Sequence, residues 1–149
     1  MTLNERITTD MKAAMKSGAT LQLSTLRTLR AQLLELSKRG ADVPITPDDE
    51  LGVLLSAVKK RKEAIELYEK AGRQELAAQE RDELQIINTY LPQQMSREEL
   101  LPKIEEIIAR TGSSSPKDFG KVMGLAMKEL KGRADGSLIQ ELVKHKLGG

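Results

Sequence analysis

The stretch GKVMGLAMKELKGRADGSLIQELVKHKL, residues 120–147, decides the fold. With Phe119 just ahead of it, Val122, Met123 and Met127 fall at i, i+3, i+4 and i+8, one face of a helix. Leu138, Ile139, Leu142 and Val143 repeat that helical spacing further on. Between them, Gly132-Arg133-Ala134-Asp135-Gly136 breaks the pattern. Gly132 and Gly136 are expected to supply a tight backbone turn, and Asp135 stands where it can cap the second helix. The stretch reads as helix, short break, helix.

The same grammar runs back through the chain. Thr2-Leu3-Asn4-Glu5 is a capping box, and Leu3, Ile7, Met11, Ala14 and Met15 follow at helical spacing up to Ser17-Gly18. Leu23, Leu26, Leu29, Leu33 and Leu36 stripe a second helix, for which Gly40 is the natural stop. Thr46-Pro47-Asp48-Asp49-Glu50 opens a third with a cap, a first-turn proline and acids at the positive end of the dipole. That helix is predicted to run to about Ala71. A fourth, from about Gln74 to Leu91, is expected to stop at Pro92. Ser96-Arg97-Glu98-Glu99 opens a fifth, carrying Leu100, Leu101, Ile104, Ile107 and Ile108. Ser115-Pro116-Lys117-Asp118 is expected to cap the sixth. The expected architecture is all-α: a larger N-terminal helical domain over residues 1–92 and a small C-terminal three-helix domain over 93–149.

Composition agrees. Aromatics are 2% of the chain, so the core must be built from aliphatic side chains, which suits helix-on-helix packing and not a β-sandwich. There is no cysteine, which removes disulfides, thiolate metal sites and a cysteine nucleophile. No apolar run reaches the ~18 residues of a membrane span, and residues 1–21 do not read as a signal peptide. A soluble cytoplasmic protein, with no membrane association, is the expectation.

Chemistry is poorly supplied. His145 is the sole histidine and sits near the C-terminus, away from any obvious partner. Ser113-Ser114-Ser115 has nothing nearby to activate a nucleophile and reads as a loop. No phosphate-binding glycine motif occurs. No catalytic residue, metal ligand or cofactor is therefore expected.

Basic residues are the remaining signal. From Pro116 onward there are seven, Lys117, Lys121, Lys128, Lys131, Arg133, Lys144 and Lys146, against four acids, an excess of three. The whole chain carries only +2, so its positive charge is concentrated in the last two helices. Lysines on a helix face and glycine-exposed amides at the break suit contact with phosphates. The competing reading is a solvated surface, since the excess is small and no aromatic platform for unpaired bases is evident.

LSTLR (23–27), KKRKEAIELYEKAGRQELAAQERDEL (59–84), YLPQQMS (90–96), GKVMG (120–124) and KGRADGSLIQELVKHKL (131–147) together resemble the YqeY family, also written GatB/YqeY, over essentially the full length. The resemblance implies an all-helical protein in two parts. It also implies kinship with the tail of the B subunit of glutamine-dependent aspartyl/glutamyl-tRNA amidotransferase, which contacts the tRNA body. The family label is carbon–nitrogen ligase with glutamine as amido-N-donor, but the groups that cleave glutamine belong to parts this chain lacks. The resemblance thus favours a free-standing tRNA-binding accessory, with Lys131 and Arg133 at the break leading. The alternative is an adaptor for an amidotransferase or aminoacyl-tRNA synthetase component. Arg27, Arg61 and Arg73 also match the pattern and are expected to form ion pairs between helices.

Overall fold

The computed structural model describes residues 1–148 and is all-α: no strand occurs among them. The α-helices are α1 (Leu3–Ser17), α2 (Thr20–Ser37), α3 (Pro47–Lys70), α4 (Gln74–Asn88), α5 (Arg97–Thr111), α6 (Phe119–Glu129) and α7 (Gly136–Lys146). A single 3-10 turn, Pro116–Asp118, precedes α6. The chain divides into two compact units, Met1–Leu91 and a second beginning at Pro92.

Three helix starts follow directly from capping chemistry. Thr2, Thr46 and Ser96 each accept the N–H of the residue three on, while Glu5, Asp49 and Glu99 reach back to the cap. Each box satisfies two of the amide donors that a helix start leaves without partners. The Arg39 guanidinium, followed by the Thr46 amide, holds Asp49 down at about 2 from a usual value of 3.8. Its contribution is therefore present above pH ~4 and fades as pH falls toward 2.

In the first unit α1 packs on α2 and α3 on α4, with α2 touching both members of the second pair. Ile7, Leu26, Leu29 and Ile87 are completely buried there. The α1 start is tied to α3 by the Leu3 amide, which donates to a Glu50 carboxylate oxygen at 2.7 Å. Beyond Ala57 no residue of the hairpin is fully buried until Ala77. Its outer part is held by half-buried side chains and by Arg61 of α3, whose Nε lies 3.7 Å from a Glu83 oxygen of α4. Burial, followed by the Glu83 charge, raises the nearby Glu80 carboxyl above its usual range. Glu80 therefore favours the folded state most in acid and less as pH rises through its shifted value. Of the three arginines expected to pair, Arg61 does; Arg27 and Arg73 are exposed and lack an acidic partner among the described residues.

The fourth helix ends at Asn88, three residues before its expected limit at Leu91. The chain tightens there: Thr89, Tyr90 and Leu91 amides donate to carbonyls three residues back. Pro92 disfavours helical geometry at Leu91, and Tyr90 is drawn into the core. Its phenol donates to the Asp10 carboxylate, and the Arg6 guanidinium lies 4.9 Å from its ring centre. Burial first, and Asp10 second, push the phenol above its ordinary value of 10. This group stabilises the fold fully below pH ~10, and the contribution is lost as pH rises through the shifted value. Tyr90→Phe is expected to cost about 1–3 kcal/mol at pH 8, because it strands a half-buried carboxylate. In urea melts the gap to wild type should narrow above pH ~10; a gap that stays constant would refute the Tyr90–Asp10 account.

The second unit is built from α5, α6 and α7. Leu100, Ile104, Val122, Ala126, Ile139 and Val143 are completely buried in it. Pro102 sits inside α5 without ending it. The expected Ser115 cap does not form: Ser115 makes no cap hydrogen bond and Pro116 opens the 3-10 turn instead. Asp118 turns back to accept the Ser114 amide at 3.4 Å.

Candidate nucleic-acid interface

Helix α6 sets the basic surface through its buried face. Val122 and Ala126 point into the core at i, i+4, so Lys121 and Lys128 stay exposed, seven residues apart on the outer side. Lys117 lies ahead of them on the 3-10 turn rather than in α6. In α7, burial of Ile139, Leu142 and Val143 leaves Lys144 exposed.

The break between these helices does more than turn the chain. Gly132 is buried with φ +78°, a left-handed conformation that glycine adopts without strain. Gly136, expected to share this task, is the first residue of α7 with no positive φ, and an added Cβ would meet only the Met127 side chain, at 3.6 Å or more. Only Gly132 needs to be glycine for the turn. Asp135 caps α7 as expected, accepting the Ser137 amide at 3.0 Å.

The turn also clasps the segment that leads into α5. The Met95 amide donates to the Arg133 carbonyl at 2.7 Å. The Gln94 side-chain amide donates to the Gly132 carbonyl at 2.6 Å, and Arg133 Nε donates to the Gln93 carbonyl at 2.6 Å. Arg133 is half-buried, so part of its guanidinium has a structural task. Beside it lies a cleft of about 200 Å³ lined by Lys103, Glu106, Arg110 and Glu129 among others. There Arg110 grips both Glu129 oxygens at 2.8 and 2.7 Å. The Gln93 and Gln94 roles carry no periodic signal in sequence; only their place after Leu91-Pro92 marked a boundary.

The seven candidate cations therefore divide. Lys146 pairs with Glu105 at 2.8 Å, Arg133 anchors Gln93, and Lys131 is half-buried with its own polar interaction. Lys117, Lys121, Lys128 and Lys144 are exposed and make no ion pair among the described residues. His145 is exposed, and the Ser113 hydroxyl is bonded only to Thr111. Among the described residues no group of three or more His, Asp or Glu is placed to hold a metal ion, and no helix is long and apolar enough to cross a membrane.

Comparison with known proteins gives a family and three relatives. The family described as Yqey-like protein matches residues 4–147. The chain is 30% identical over 148 residues to "Altered inheritance of mitochondria protein 41, mitochondrial" of Pyrenophora tritici-repentis, covering 96% of this chain and 80% of that one. It is 31% identical over 123 residues to the protein of the same name in Vanderwaltozyma polyspora, covering 76% and 65%. An uncharacterized protein of Schizosaccharomyces pombe is 34% identical over 95 residues, 63% of this chain and 72% of that one.

Proposed function

From the premise that this chain belongs to the Yqey-like family, we propose that it is a tRNA-binding accessory without an active site of its own. One observation carries the reading. Among the described residues, Lys117, Lys121, Lys128 and Lys144 stand exposed and free of ion pairs in one small unit, while its arginines Arg97, Arg110 and Arg133 are engaged internally. Unpaired ammonium groups on helices are point charges that meet phosphate oxygens without first breaking an internal bond. Contacts of this kind recognise backbone and shape more than sequence, which suits a folded RNA. The Gly132 turn fixes how the two lysine-bearing helices project.

The second reading is an adaptor that docks an amidotransferase or aminoacyl-tRNA synthetase component. It draws on Leu67 of α3, which is 67% exposed. Affinity capture from lysate, with and without ribonuclease, separates the two. The tRNA reading predicts that small RNA of tRNA length is enriched with the chain and vanishes on nuclease treatment. A protein partner that survives the nuclease, with no RNA enriched, would transfer the function to the adaptor.

A further inference from the structure

The last two helices also frame a groove that the unpaired lysines do not explain. It is about 300 Å³ and is lined by Pro116, Phe119, Gln140, Lys144 and Leu147. Gln140, Lys144 and Leu147 stand at i, i+4 and i+7 along one side of α7 and its end. Pro116 and Phe119 come from the turn that opens α6. In sequence Phe119 shares one helix face with Val122, Met123 and Met127. It does pack against the core, but it remains half-buried and lines this opening. An aromatic ring is thus available to a ligand in the second unit, contrary to the sequence reading that no such platform exists.

The geometry points to a nucleotide subsite: the groove takes one unpaired base of the bound RNA against Phe119, with Lys144 meeting its phosphate. The inference rests on the tRNA reading above. Its chemistry follows from the lining. The volume lies at the lower end of the roughly 300–1,000 Å³ of small-molecule sites, which suits one ring system and not an extended chain. Pro116, Phe119 and Leu147 supply an apolar surface for a planar base, and stacking on an aromatic ring tolerates any base because each has a π-face. The Gln140 amide offers both a donor and an acceptor to a base edge. Lys144 lies in the groove without an acidic partner, and exposed Lys117 adjoins Pro116, so the charge beside the apolar floor is positive. An anionic ligand with a flat apolar part complements that arrangement; an apolar peptide would leave the cations without a role.

The chain holds a single phenylalanine and no tryptophan, which makes the test direct. Incorporation of 4-fluorophenylalanine places one fluorine label in the chain, at Phe119. The labelled chain is titrated with total tRNA, with adenosine monophosphate at millimolar concentration and with inorganic phosphate, following the fluorine resonance and, for tRNA, anisotropy as well. The expected result is a shift with tRNA and with the nucleotide, none with phosphate, and weakening of tRNA binding by roughly fivefold or more in Phe119→Leu. Lys144→Ala should reduce the nucleotide response while circular dichroism stays native. If tRNA binds by anisotropy but neither ligand moves the resonance, the subsite is wrong and the tRNA reading stands. If the nucleotide moves it but tRNA does not bind, the groove is a nucleotide site, and its role in holding a base of bound RNA falls with the tRNA reading. A silent resonance without tRNA binding overturns both, and an equal shift with inorganic phosphate overturns the base-stacking claim.

Discussion

Exchanging Lys121 and Lys128 for glutamate is expected to weaken tRNA binding on the order of 100-fold at 100 mM salt. The size follows from counterion release. Each phosphate contact contributes a salt exponent of about 0.7–0.9, so two lost contacts remove roughly 25- to 60-fold at that salt, and the repulsion of the new carboxylates adds to it. Both side chains are exposed and unpaired, and Val122 and Ala126 keep the opposite face of α6 buried, so the variant should remain folded. Lys12→Glu/Lys16→Glu on α1 is the matched control. Those lysines are also exposed and unpaired, and the net charge changes equally, but they lie in the first unit. Binding should then fall by far less. Equal loss in both variants, read by fluorescence anisotropy, would mean that bulk charge rather than the α6 surface governs binding.

Ile104→Ala carries the largest expected cost in stability. Ile104 is completely buried among Leu100, Val122, Ile139 and Val143. Truncating a buried isoleucine costs about 2–5 kcal/mol, and a unit of about 58 residues has a total stability of roughly 3–9 kcal/mol. Such a loss takes a large share of the stability of a core this small. The three helices of the unit hold 15, 11 and 11 residues, about a third of the α-helical total. The variant should therefore lose about a third of its helical circular dichroism at 37 °C and, with it, tRNA binding. A thermal melt that matches wild type at full helical amplitude would show that α5 is not what holds this core.

Where an element is specified by neighbouring residues, the sequence discloses it. Thr2 with Glu5, Thr46 with Asp49 and Ser96 with Glu99 are local pairs three residues apart, and all three close. Aliphatic periodicity likewise marks Leu26, Leu29, Ile104 and Ile139, and all are buried. Failures arise where a distant partner or a rival local bond intervenes. Just past the early end of α4, Tyr90 is held by Asp10, 80 positions away. Ser115 resembles Ser96 in sequence, but Pro116 starts a 3-10 turn and Asp118 takes the Ser114 amide instead. Arg133 looks like a free cation until its Nε is found on the Gln93 carbonyl, 40 positions back. The basic character of the last helices is legible, but the division between engaged and unengaged cations is not, because it depends on Glu105 of α5 and on the Gln93 carbonyl ahead of it. The Phe119 groove was hidden for a similar reason: its i, i+4, i+7 side is visible in α7, but its other wall comes from the turn before α6.

The most direct test of the tRNA-binding account is the salt dependence of total tRNA binding to the wild-type chain by fluorescence anisotropy. Four lysine–phosphate contacts, from Lys117, Lys121, Lys128 and Lys144, predict a slope of about −3 in log affinity against log salt. Affinity should then fall roughly 50- to 150-fold between 50 and 200 mM salt. A slope near zero, or no binding at 50 mM salt, would contradict the account.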